Sequence, residues 1–164
     1  MIKLAEKFVT SLLLDVRVVT KVQAIDAILE RMAEAHLARD LLPELRTGIL
    51  NRERLGSTGI GAGVAIPHAR PAGVPRLMGA VAFARHGLEF DSPDGEPVDL
   101  VFLILSPPEL PGASMRVRPE AERLMRHLCD ATFRDRLRQA GSDDELLQAI
   151  EELSLVPKRL QENE

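Results

Sequence analysis

The chain has 164 residues, of which 45% are hydrophobic and only 3% aromatic, and its formal net charge is −4. That length and composition predict one compact domain with an aliphatic core of Leu, Ile, Val and Ala. The negative balance argues against a nucleic-acid binder relying on bulk electrostatics, the single cysteine excludes an intramolecular disulfide or a cysteine zinc cluster, and no stretch approaches the roughly 20 apolar residues of a membrane span.

The opening segment MIKLAEKFVTSLLLDVR has acids before and after a short apolar run and no small-residue cleavage site. It is a poor signal peptide, and the cytoplasm is the expected compartment. Val16, Val18 and Val19 predict a short strand over Asp15 to Val19. Thr20 with Gln23 three residues on forms a capping-box pattern. The helix that follows places Val22, Ile25, Ile28, Leu29 and Met32 at helical spacing and is expected to end near His36. Pro43 suits the first position of a second helix, which carries Leu45, Ile49 and Leu50 and stops at Gly56.

Ser57 to Gly63 reads as a glycine-rich loop. Val64-Ala65-Ile66 is strand-like, Pro67 stops it, and His68 follows. Arg70 to Arg76 is a polar loop punctuated by proline. Leu77 to Ala84 predicts a strand, with a second one over Gly87 to Phe90 after a tight connection. Asp91 to Gly95 is a turn signal. Val98 to Leu105, apolar except for Asp99, predicts a central strand covered on both faces.

Pro107 to Arg118 reads as an irregular insertion. Pro119 then opens a helix through Leu128, with Ala121, Leu124 and Leu128 on one face. Cys129 follows that pattern and is expected to be a buried thiol. Thr132 is the expected cap of the next helix, and Ser142 with Glu145 the capping box of the last, which runs to about Leu153. The domain is placed at residues 1–155, with a fraying tail at 156–164. The fold class is α/β: a single domain with a mixed sheet flanked by helices.

Four histidines are present. His36 is expected at a helix end, His86 in a turn between strands, and His127 on an outer helix face. No pair has the i, i+4 spacing of a helical metal site. His68 has a different setting. It ends an apolar segment after a proline, behind a glycine-rich loop, with Arg52, Arg54 and Arg70 around it in sequence. On those grounds alone it is either a reactive side chain or an ordinary loop histidine.

The stretch LNRERLGSTGIGAGVAIPHAR, Leu50 to Arg70, resembles the signature of the type-2 IIA proteins of the bacterial phosphotransferase system. In that family an Arg-Glu pair ends a helix, a Gly-Ser/Thr-Gly loop follows, and an apolar strand ends in Pro-His. PVDLVFLILSPP (Pro97 to Pro108) is similar to the family's central strand, and Arg123 to Ile150 to its C-terminal helices. GSTGIG and VAIPH are nearest to the nitrogen-type branch. The resemblance implies the type-2 IIA fold, with His68 as phosphoacceptor and Arg52 as the phosphate-contacting arginine. It implies no cofactor.

The chemistry suits these residues. A neutral imidazole is nucleophilic near its unperturbed pKa of about 6.5. Phosphoryl transfer then depends on positioning and on stabilising charge at the oxygens, for which a guanidinium fork is well shaped. Ser57, Thr58 and the Gly59 amide are candidate phosphate donors in an anion nest. The plainer alternatives are a surface ion pair for Arg52 and simple loop roles for Ser57 and Thr58. A Walker-type loop is excluded, because no Gly-Lys-Ser/Thr ending follows.

One departure stands out. The family's second histidine, near the start of the helix after the central strand, falls here at Val117, beside Arg118. Either Arg118 or Arg116 supplies a substitute polar partner, or the domain is phosphorylated slowly as a sensor, or transfer is lost and binding remains. The implied donor is an HPr-like phosphocarrier. The implied recipients are a regulated transporter or sensor kinase, or a IIB domain in sugar uptake. Neither nucleic-acid binding nor direct membrane insertion is expected.

Overall fold

The computed structural model describes residues 8–108 and 126–154. Its elements in chain order are β1 (Phe8–Leu13), α1 (Lys21–Ala33), a 3-10 turn (Arg39–Leu41), α2 (Leu42–Leu55), β2 (Gly59–Gly61), β3 (Val64–Ala65), β4 (His68–Ala69), β5 (Met78–Leu88), β6 (Val98–Leu105), α3 (Ala131–Leu137) and α4 (Asp143–Ser154). The strands form one mixed sheet in the order β1-β5-β6-β3-β2, with β4 also on β6. This is the expected mixed sheet flanked by helices.

Alternation along the two long strands divides the core. Ala80, Ala82, Ala84, Val101, Leu103 and Leu105 face α1 and α2, where they meet Ile25, Ile28, Met32, Leu45 and Ile49. Val81, Phe83, Leu100 and Phe102 face the other way, against Leu128, Phe133, Leu137, Leu146 and Ile150. The period of two in a strand forces this division. Each fully buried aliphatic or aromatic side chain contributes about 1.5–3 kcal/mol. Phe102 and Phe133 also stack, with centroids 6.4 Å apart.

Local signals account for most boundaries. Thr20 accepts the Gln23 N–H at 3.2 Å, and the Gln23 side chain accepts the Thr20 N–H at 3.2 Å, closing the capping box. Pro43 lies in the first turn of α2, which ends at Gly56. Ser142 Oγ accepts from Glu145 N at 3.1 Å, but the Glu145 carboxylate takes the Gly141 N–H at 2.7 Å, one residue before the expected partner.

Several expectations are corrected. The first strand is Phe8–Leu13, not Asp15 to Val19. Asp15 gathers its own turn: its carboxylate accepts the Arg17 N–H and guanidinium, and its carbonyl accepts Val18 N. Val16 is left 74% exposed. Gly87 to Phe90 is not a separate strand; β5 continues to Leu88, with a register shift between Phe83 and Leu88. His86 therefore sits in a strand rather than a turn. Its Nε2 lies 2.6 Å from Val18 O. The glycine-rich loop contains the short β2. Asp130, not Thr132, caps α3, accepting Phe133 N at 2.9 Å. Cys129 is exposed, because it follows the buried Leu128 at the turn that ends its helix. Most of the expected insertion and most of the helix from Pro119, with Val117, Arg116 and Arg118, lie outside the described residues.

Strand β1 lies at the sheet's end, and side chains take two backbone groups on its outer side. Leu13 N donates to Asp143 Oδ1 at 2.6 Å, and Ser11 O accepts from Arg31 Nη1 at 3.1 Å. Arg31 pairs in turn with Asp143 at 2.9 Å.

Candidate functional site

His68 owes its place to an interrupted strand. β3 and β4 both run parallel to β6, Val64 opposite Leu100 and His68 opposite Ile104. Between them Pro67 has no N–H to give the ladder, though its carbonyl still accepts Ile104 N at 2.9 Å. The break leaves Ile66 buried and His68 exposed. The interrupted strand thus delivers the histidine to the surface from a rigid base.

The ring is oriented by its own backbone. His68 Nδ1 lies 3.1 Å from Ile66 O. A carbonyl only accepts, so this contact favours the neutral tautomer with the proton on Nδ1 and the lone pair on Nε2. Two adjoining depressions flank the ring. One is lined by Glu44, Gly48, Arg52, His68 and Arg70, the other by Arg52, Ser57, Thr58, Ile66, His68 and Ser106. Arg52 lines both. It stands in the last turn of α2, and its Nη1 donates to Gly56 O at 2.9 Å. Among the described residues no carboxylate pairs with it. The structure therefore brings together His68, Arg52 and the 57–59 loop.

The loop's donors are spent internally. Ser57 Oγ donates to Phe90 O and accepts from Gly59 N at 3.1 Å. Thr58 Oγ1 and N both donate to the Glu53 carboxylate. The three expected phosphate donors thus shape the loop while lining the depression beside the ring. Gly59 packs tightly on Ser92: a Cβ there would crowd Ser92 Oγ and stand 3.1 Å from Ser92 Cα.

Glu53 is the residue that sequence reading passed over. It is buried, and besides Thr58 it takes Lys21 Nζ at 3.3 Å. Lys21 also pairs with Asp91 at 3.1 Å and lies over the Phe90 ring. The Arg-Glu pair at the end of α2 was the available signal: Arg52 faces the depressions and Glu53 faces inward. On the far side of the loop, Arg138 holds Asp99 and donates to Ala62 O at 2.8 Å. Gly63, at φ +78°, leaves room for this clasp; a Cβ would stand 2.6 Å from Asp99 Oδ1. Among the described residues no group of three or more His, Cys, Asp or Glu side chains is disposed to hold a metal ion, and no helix is long and apolar enough to cross a membrane.

The signature around Pro67-His68 implied a histidine at the end of an apolar strand, with Arg52 as its partner, and both side chains line the same two depressions. The profile of the family described as phosphoenolpyruvate-dependent sugar phosphotransferase system, EIIA 2, matches residues 8–153, and the chain belongs to that family. Within it, the chain is 38% identical over 129 residues to a nitrogen regulatory protein of Pseudomonas aeruginosa, covering 75% of this chain and 80% of that one. It is 39% identical over 107 residues to the fructose-specific EIIABC component of Bacillus subtilis, covering 64% of this chain but 16% of that longer protein. Among solved structures, the nitrogen regulatory protein IIA-Ntr of Neisseria meningitidis superposes with a TM-score of 0.68 at 30% identity, over 90% of this chain and 94% of that one.

Proposed function

We propose that this chain is a cytoplasmic phosphocarrier of the nitrogen-type branch, accepting a phosphoryl group on His68 Nε2 from an HPr-like phosphohistidine protein. The observation that carries the reading is the bond from Nδ1 to Ile66 O, which leaves Nε2 as the nucleophile. In the step, the Nε2 lone pair forms a bond to phosphorus while the bond from phosphorus to the donor's imidazole nitrogen breaks. The donor nitrogen keeps that electron pair. His68 retains the Nδ1 proton, and the Ile66 carbonyl faces the charge gained by the ring. Arg52 stabilises the phosphoryl oxygens, in the manner of preorganised donors at developing charge. Ser57, Thr58 and Gly59 serve by holding the loop. Arg118 is the proposed stand-in for the second family histidine.

Phosphorylation would place negative charge beside Arg52 and Arg70 and so alter the surface offered to a regulated transporter or kinase. The test is incubation with phosphoenolpyruvate, the general phosphotransferase enzyme and an HPr-like carrier, followed by intact-mass analysis. One acid-labile phosphoryl group, absent from His68→Ala, is the expected result. Its absence from the wild type overturns the carrier reading and leaves a binding module.

The likeness to the fructose-specific EIIABC component supports a second reading, in which His68 passes its phosphate to a IIB domain. Transfer from the phosphorylated chain to a purified fructose-type IIB domain would establish it.

A further inference from the structure

We propose that Glu53 is a positioning residue for His68, acting through Thr58 and Ile66; the proposal rests on His68 being the phosphoacceptor. A continuous line of hydrogen bonds joins the two side chains. Glu53 accepts Thr58 N at 3.2 Å and also the Thr58 hydroxyl. Thr58 O accepts Ile66 N at 3.0 Å. Ile66 O then faces His68 Nδ1 at 3.1 Å. Beyond the Glu53 carboxylate and the Thr58 hydroxyl, every link as far as the ring is backbone.

The line has a fixed end and a free end. Glu53 is fixed by burial, with its side chain 3% exposed, and by Lys21 Nζ at 3.3 Å. Its last-turn carbonyl also accepts Gly56 N at 3.2 Å, so the chain reverses tightly from α2 into the loop. His68 is the free end, exposed to solvent. An exposed imidazole held by nothing samples both tautomers and several ring orientations. Here the acceptor that selects the Nδ1–H form is a carbonyl whose residue is tied, through Thr58, to a buried carboxylate. Hydrogen bonds in such a chain polarise one another.

The chemistry calls for a carboxylate at position 53. Its three partners, the Thr58 amide, the Thr58 hydroxyl and the Lys21 ammonium, are all donors in this arrangement. A carboxylate is acceptor-only and satisfies all three, whereas a carboxamide must point its NH2 at one of them. Glu53→Gln thus keeps shape and volume but sets donor against donor. The loop must shift, and Ile66 O moves off the ring.

The experiment is 15N NMR of the imidazole nitrogens in the neutral form of His68, together with single-turnover phosphorylation. The wild type is expected to show a protonated Nδ1 and a bare Nε2. Folded Glu53→Gln is expected to show mixed tautomers and a roughly 10-fold slower transfer at saturating donor, with half-saturation little changed. Thr58→Val, which cuts the hydroxyl link, should shift in the same direction, and Thr58→Ser should restore wild-type values. An unchanged tautomer in folded Glu53→Gln overturns the proposal. If that variant does not fold, the Thr58 pair decides: equal tautomer populations in Val and Ser overturn it, and a shift in Val alone supports it. A wild type that takes no phosphate defeats the carrier reading, while the tautomer comparison still decides the role of Glu53.

Discussion

Arg138 and Asp99 meet as a two-pronged pair, Nε to Oδ2 at 2.7 Å and Nη2 to Oδ1 at 2.8 Å. The same guanidinium caps the hairpin between β2 and β3 through Ala62 O. The hydrogen bonds from Asp99 push the Arg138 pKa further above its already high value. The pair sits at the opposite end of β3 from His68, so it anchors the interrupted strand where the chain enters it.

Arg138→Ala is expected to cost about 1–2 kcal/mol, the range for charge-assisted hydrogen bonds at a partly exposed site. Urea unfolding gives the number. A double-mutant cycle with Asp99→Ala should recover most of it as coupling energy. Amide exchange should rise at residues 60–63 and stay protected in β5 and β6.

Arg52 tests the electrostatic side of the proposed transfer. Arg52→Ala should slow phosphorylation of His68 by about 10- to 100-fold, the scale for losing one stabilising donor at developing charge. Arg52→Lys should recover only part, because an ammonium lacks the planar fork. Thermal stability should change little, since the side chain makes only the bond to Gly56 O among the described residues.

The core on the α3–α4 side predicts a sharp contrast. Phe102 is fully buried and stacks on Phe133. Phe102→Ala should destabilise by about 3–5 kcal/mol. Val16→Ala, in the exposed turn that its β-branched neighbours made look like a strand, should change stability by less than about 0.5 kcal/mol. Chemical denaturation of both variants checks the pair.

Acid sensitivity has one legible local source. Hydrogen bonds from the Arg17 guanidinium, then from its backbone N–H, hold the Asp15 carboxyl down to about 2. The folded value lies below the unfolded one, so the stabilisation is complete above about pH 4 and is lost as the pH falls towards 2. Asp15→Asn should therefore be slightly less stable than wild type near neutrality and should converge with it near pH 2. Full exposure keeps the difference small. Urea midpoints at the two pH values give the measurement.

The features legible in the sequence are those whose signal is local. Thr20 and Gln23 lie three apart and close one cap. Pro43 and Gly56 bracket α2 by backbone chemistry alone. The apolar run of β6 announces burial on both faces. Pro67 before His68 marks the strand break that puts the ring in solvent. The misreadings come from competition that a local window does not contain. Asp15 folds its side chain onto Arg17 and defeats the strand propensity of Val16, Val18 and Val19. Phe8–Leu13 becomes a strand because β5 pairs with it some seventy residues on. Glu53 looks like one more helix acid until Lys21, 32 positions earlier, arrives beside it. Ser57 finds Phe90 O, 33 positions on, which is another partner that no local window contains.

The side-chain bonds on the outer side of β1 have a consequence for how these molecules behave together. A terminal strand with open amides is a template for another chain, and growth along it is the usual route to fibres and swapped dimers. Here Asp143 and Arg31 occupy that template at Leu13 and Ser11. With those two groups already paired, a neighbouring strand meets a poorer template along this stretch of the edge. Removing one carboxylate, in Asp143→Ala, would turn a protected border into an adhesive one.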